Sequence, residues 1–96
     1  MAENLDAGQS LSFTLTADEA LVLFDFLSRI TDDEKTAGLR RLIEDDAEIW
    51  ALNNILCQLE HTVAVSFAGD YRTLVSVARS RVAETNGGRW PWRQAD

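Results

Sequence analysis

A mainly α fold is the class this chain predicts, with three principal helices and a short N-terminal strand. Two observations carry that expectation. Apolar residues recur at steps of three and four through three separate windows, which is the period of an amphipathic helix. Each window opens on an acid or hydroxyl residue able to serve a helix start, and glycines punctuate what lies between and behind. Composition agrees: 46% of the 96 residues are apolar and 26% charged, a globular balance and not a disordered one. A chain of this length makes one domain and buries roughly 60–68% of its unfolded surface, so its core is modest.

Residues 1–10 read as a loose leader. Leu11-Ser12-Phe13-Thr14-Leu15-Thr16 alternates apolar with small polar side chains, the period of a strand. Thr16 and Glu19 stand three apart and form a capping box for a first helix over 17–30. Ala20, Leu21, Leu23, Phe24, Phe26, Leu27 and Ile30 cover more than half of that helix, leaving Asp18, Asp25 and Arg29 on a narrow wet stripe. So wide an apolar arc places the helix at the centre of its core or under a second chain.

Thr31-Asp32-Asp33-Glu34 suggests a turn that Gly38 interrupts, and Leu39, Leu42 and Ile43 suggest a minor helical turn near 39–43, packed on the core. Asp45-Asp46-Ala47-Glu48 opens the next long helix, over 46–63, with Ile49, Leu52, Leu56, Leu59 and Val63 as its stripe. Residues 63–67 fit a helix end, a loop or a strand equally well. Asp70 caps a last helix over 71–85, whose buried face is Tyr71, Leu74, Val75, Ala78 and Val82. Asn86-Gly87-Gly88 stops it, because glycine tolerates the left-handed conformation at a helix end. The expected core is Phe13, Leu23, Phe24, Leu27, Leu52, Leu56, Leu59, Leu74, Val75 and Ala78. A lone strand cannot satisfy its own backbone, so 11–16 is expected to pair with Val63–Phe67 or with its counterpart in a second subunit.

Charge is unevenly spread. Residues 1–70 carry fourteen acids against four bases, and residues 71–96 carry five arginines against two acids, within a net charge of −7. That balance disfavours general binding to nucleic acid. No run approaches the ~20 apolar residues of a membrane span, and the N-terminus lacks the basic start and apolar stretch of a signal peptide. A cytoplasmic protein that contacts neither nucleic acid nor membrane is expected.

Four segments are candidates for function. Trp50, Asn54, Cys57 and His61 share one face of the second long helix, opposite its apolar stripe. Cysteine and histidine four apart suit two metal ligands or a thiol with its base. The chain has one of each, however, and zinc sites use three or four protein ligands. Packing of this row beneath another element, or at an interface, is the favoured expectation, and no metal or cofactor is expected. The acidic clusters Asp32–Glu34 and Glu44–Asp46 with Glu48 suit helix starts favoured by the dipole; they lack a calcium-loop pattern. Arg72 and Arg79 line one face of the last helix, with Arg81 off that row, and the nearest abundant acids, including the 44–48 cluster, are their expected partners. Arg89-Trp90-Pro91-Trp92-Arg93 makes residues 87–96 a tail expected to dock on its own domain or on a second subunit. No phosphate loop, dinucleotide fingerprint or nucleophile elbow occurs.

Leu15-Thr16-Ala17-Asp18-Glu19-Ala20-Leu21 with Phe24-Asp25-Phe26-Leu27, Ile49-Trp50-Ala51-Leu52 with Leu59-Glu60, and Asp70-Tyr71 with Leu74 and Ala78-Arg79 resemble small uncharacterised bacterial helical proteins of similar length. The resemblance covers core and cap residues over 11–84. It implies a compact helical domain and carries no activity or site residue.

The functional expectation is a non-enzymatic protein-interaction domain that forms a homodimer. Its candidate contacts are Leu11, Phe13 and Leu15 of the strand, Trp50, Asn54 and His61 of the second long helix, Arg72 and Arg79 of the last, and Trp90 and Trp92 of the tail. One alternative is an acidic neutraliser of a basic toxin or nuclease, in the manner of an immunity protein or antitoxin. Another is a small metal or thiol enzyme around Cys57 and His61.

Overall fold

The computed structural model describes residues 8–32, 36–66 and 70–91. Four helices are formed among the described residues: α1 (Ala17–Ile30), α2 (Thr36–Arg40), α3 (Asp46–Ser66) and α4 (Tyr71–Thr85). Their order follows from local chemistry that the sequence displays. Glu19 N–H donates to Thr16 Oγ1 at 3.1 Å while Thr16 N–H donates to Glu19 Oε1 at 2.8 Å. The two bonds satisfy two of the backbone donors that a helix start leaves open. Asp45 accepts from Ala47 N–H at 2.7 Å and Glu48 accepts from Glu44 N–H at 2.9 Å, so the acids before α3 act as a cap. Asp70 accepts from Thr73 N–H at 3.4 Å and from the Thr73 hydroxyl at 2.6 Å, and these bonds hold its carboxyl below the usual carboxylate range.

The far end of α4 closes in a Schellman motif. Gly88 N–H reaches back to Ala83 O at 2.6 Å and Gly87 N–H to Glu84 O at 3.3 Å. Both glycines sit at φ +95°, a conformation that costs any residue with a Cβ. Gly87→Ala is therefore expected to destabilise the domain by about 1 kcal/mol, although no atom stands within 4 Å of the added carbon. A chemical melt checks this, since backbone strain is the only penalty available.

Helix α1 is the hub, in contact with α2, α3 and α4. This is the central position its wide apolar arc predicts. Leu21 of α1, Val63 of α3 and Val75 and Ala78 of α4 meet in one buried cluster, with Val22, Phe24 and Leu74 packed against it. Leu27 and Leu56 are buried as well. The Phe24 ring meets Tyr71 edge-on, with centroids 6.4 Å apart and planes at 86°, the geometry that aromatic quadrupoles favour.

Several sequence expectations are corrected. Residues 11–16 form no strand among the described residues. Val63, the start of the intramolecular partner proposed for them, is inside α3, so the alternation belongs to an extended strap ahead of Thr16. The apolar members of that strap, Leu11 and Phe13, are 76% and 67% exposed, which removes Phe13 from the core. Leu23, Leu52 and Leu59 are only half-buried, while Leu21 and Val63 take the deeper places. Continuation of α3 to Ser66 settles 63–66 as helix; Phe67 lies outside the described residues. The minor helix sits at Thr36–Arg40, earlier than 39–43, with Gly38 inside it. Residues 41 and 42 form a turn, closed by Leu42 N–H on Leu39 O at 2.8 Å, and Leu42 is exposed instead of packed.

Candidate functional site

The strap before α1 passes over α1 and α3 and leaves a half-open groove of about 480 Å³. Leu11, Phe13 and Leu15 line one side, Ala20 the floor from α1, and Asn54, Ile55 and Leu59 the α3 side. Leu15 is half-buried, but the rings and branches of Leu11 and Phe13 remain largely in contact with solvent. Residues 11–15 hold no helix or strand. Their position is fixed at one end by the Thr16 cap, whose backbone is extended at φ −71° and ψ 164°. Thus the capping chemistry aims an apolar strap across the hub helix. The groove brings together Leu11, Phe13, Leu15 and Asn54 of the residues singled out from sequence.

The second candidate row is not buried. Trp50 is 71% exposed, and Asn54, Cys57 and His61 are exposed along the same face of α3. The sandwiched position expected for them is corrected: α3 meets α1 through its Leu56–Val63 side and turns this row outward. Asn53 Nδ2 donates weakly to Cys57 Sγ at 3.8 Å. Among the described residues, no three His, Cys, Asp or Glu side chains gather as a metal-holding group. Cys57 and His61 therefore have no third ligand there, and no base-and-orienter chain of the kind a thiol nucleophile requires.

The third arrangement was not legible in the sequence. Asp25 of α1 lies against α4 and accepts three bonds. Tyr71 donates its hydroxyl to Oδ1 at 3.0 Å, while Arg79 Nη2 and Arg29 Nε donate to Oδ2 at 2.9 and 3.1 Å. One turn-pair away, Arg81 faces Asp18 at 3.6 Å. The stripe read as wet is thus the seam between α1 and α4. The α4 arginines pair with the protein's own acids, as expected, but Arg79 and Arg81 meet those of α1 and not the 44–48 cluster. Arg72 is exposed and has no acidic partner among the described residues.

Two opposing effects act on Asp25. Partial burial raises its pKa, but the hydrogen bonds from Arg29 and Tyr71 and the charges of Arg29 and Arg79 together lower it below 3.8. For Tyr71, burial, the bond to Asp25 and the charge of that carboxylate push the phenol from 10.0 up to about 12. A phenol whose folded pKa is raised contributes stability that is complete below its unfolded value and lost as pH climbs through the folded one. The window is therefore pH 10 to 12. Because Tyr71 is the only tyrosine of the chain, ultraviolet titration reads it directly. A folded-state midpoint well above 10 is expected, and Tyr71→Phe is expected to flatten the alkaline loss of stability. A midpoint at 10 would show that the phenol is not held by Asp25.

At the C-terminal end, Trp90 is 71% exposed. Trp92 lies outside the described residues. No helix among the described residues is long and apolar enough to cross a membrane. Comparison of the chain with protein-family models, with curated proteins and with solved structures gives no match.

Proposed function

We propose that this protein is a non-enzymatic interaction domain that self-associates as a homodimer through the strap and groove. The observation that carries the reading is the exposure of Leu11 and Phe13 beside a groove whose lining combines apolar Leu15, Ala20, Ile55 and Leu59 with polar Ser12, Asn54, Gln58 and Thr62. Large apolar side chains scattered singly on a surface need no explanation, but a contiguous patch does. Here the strap lies on the hub helix with its outward side bare. A twofold contact would set the strap of each copy against the groove of the other, with self-complementary chemistry on both sides. Burying one phenylalanine in this way contributes about 1.5–3 kcal/mol, and a symmetric pair supplies that contribution twice.

The strap and groove are tested by dilution. In sedimentation velocity, Phe13→Ser is expected to raise the dimer Kd at least tenfold, which corresponds to about 1.4 kcal/mol. The melting temperature of the dissociated chain should not change, because Phe13 contributes little to the buried core. An unchanged dimer Kd in that variant would remove the strap from the contact.

A further inference from the structure

The α1–α4 seam offers a surface separate from the groove. A cleft of about 520 Å³ opens there, lined by Asp25, Arg29, Tyr71, Arg72, Val75 and Arg79. In a chain with nine basic and sixteen acidic residues, three arginines here face one carboxylate, for a local balance of +2. Asp25 ties down one edge of the Arg29 and Arg79 guanidiniums, and Arg29 is further held over the Phe26 ring at 5.8 Å. The side chains of Arg29 and Arg79 are still half exposed, at 49% and 53%, so each fork keeps N–H donors directed to solvent. Arg72 has no acidic partner among the described residues.

We propose that this cleft receives an acidic peptide segment of a partner protein. The proposal rests on the interaction-domain reading but uses a different surface from the dimer groove. Spacing selects a peptide over a compact anion. Arg72 and Arg79 are seven residues apart on α4, ~10.5 Å along the helix axis. Two carboxylates along an extended chain can meet both forks without drawing the arginines together against their mutual repulsion. Carboxylates three residues apart on a polyproline II segment fall on one side, ~9 Å from each other, and a guanidinium fork matches each carboxylate with two parallel bonds. Repulsion from the protein's net negative charge is confined by salt, because the Debye length is ~8 Å at physiological ionic strength.

Fluorescence anisotropy with a labelled twelve-residue peptide tests this, using glutamates at every third position among serines and glycines. Binding is expected at physiological salt, where the net-charge repulsion is screened, and should weaken as salt rises toward ~1 M and the local ion pairs are screened too. It should vanish when the glutamates are replaced by glutamines. Arg72→Gln should weaken binding about fivefold, the size of one exposed ion pair, with unchanged stability because Arg72 makes no ion pair in the fold. The proposal is overturned if the glutamine peptide binds equally, or if Arg72→Gln binds like wild type. It is also overturned if inorganic phosphate displaces the peptide at low millimolar concentration, or if nothing binds up to ~1 mM peptide, a standard free energy of about −4 kcal/mol. A monomer that binds the peptide overturns the homodimer and leaves this cleft; a dimer that ignores it does the reverse.

Discussion

Leu21→Ala is expected to lower the stability of the domain by about 2–5 kcal/mol. Leu21 is 2% exposed and belongs to the one cluster in which α1, α3 and α4 meet. Removing its branch leaves a cavity bounded by Val63, Val75 and Ala78. These sit on two different helices, so the walls cannot collapse on the gap without moving a whole helix. A domain of this size has about 5–15 kcal/mol in total, so the loss is a large share. At about 4–8 °C per kcal/mol, the melting temperature should fall by more than 8 °C. Leu42→Ala is the control: Leu42 is 80% exposed, and its loss should stay within ~0.5 kcal/mol. Equal effects from the two would mean that the hub is not where the stability lies.

Asp25→Ala is expected to cost about 2 kcal/mol near neutral pH. The carboxylate is only 15% exposed at its side chain and serves two arginines and a tyrosine. Without it, Arg29 and Arg79 repel each other and the Tyr71 hydroxyl loses its acceptor. The arginines are half-exposed, so water and salt hold the cost well below that of a buried ion pair. The sign of its pH dependence is fixed by the lowered pKa. Asp25 contributes fully above its unfolded value, near 3.9, and the contribution is lost as pH falls through the lower folded value. The gap between wild type and Asp25→Asn should therefore be open at pH 6 and close in strong acid. A gap that persists unchanged below that window would show a packing role instead of a charge role.

These effects also mark what a sequence shows directly and what it does not. The Thr16–Glu19 box, the Asp70 cap and the Gly87–Gly88 stop act over three to five residues, so α1 and α4 were readable to their ends. The wide apolar arc of α1 likewise predicted its central place. Asp25 was not readable, because its role depends on which face of α1 meets α4; alone on a helical wheel it resembles any solvated acid. The strap escapes the sequence pattern for a related reason. Alternating apolar and small polar residues describe an extended chain, but a strand requires a partner, and Val63 went into helix α3. Leu42 and the Trp50 row were expected under cover, yet each depends on a neighbour that local patterning cannot name. Arg79 and Arg81 found acids on α1 because helix crossing, not abundance, decides which charges meet.

The bare strap and groove carry the proposed contact between copies. The most direct test is the mass of the wild-type protein, by light scattering behind a sizing column at micromolar concentration. The homodimer predicts twice the 10.7 kDa of the chain. A single particle of 10.7 kDa across the accessible concentration range would contradict it.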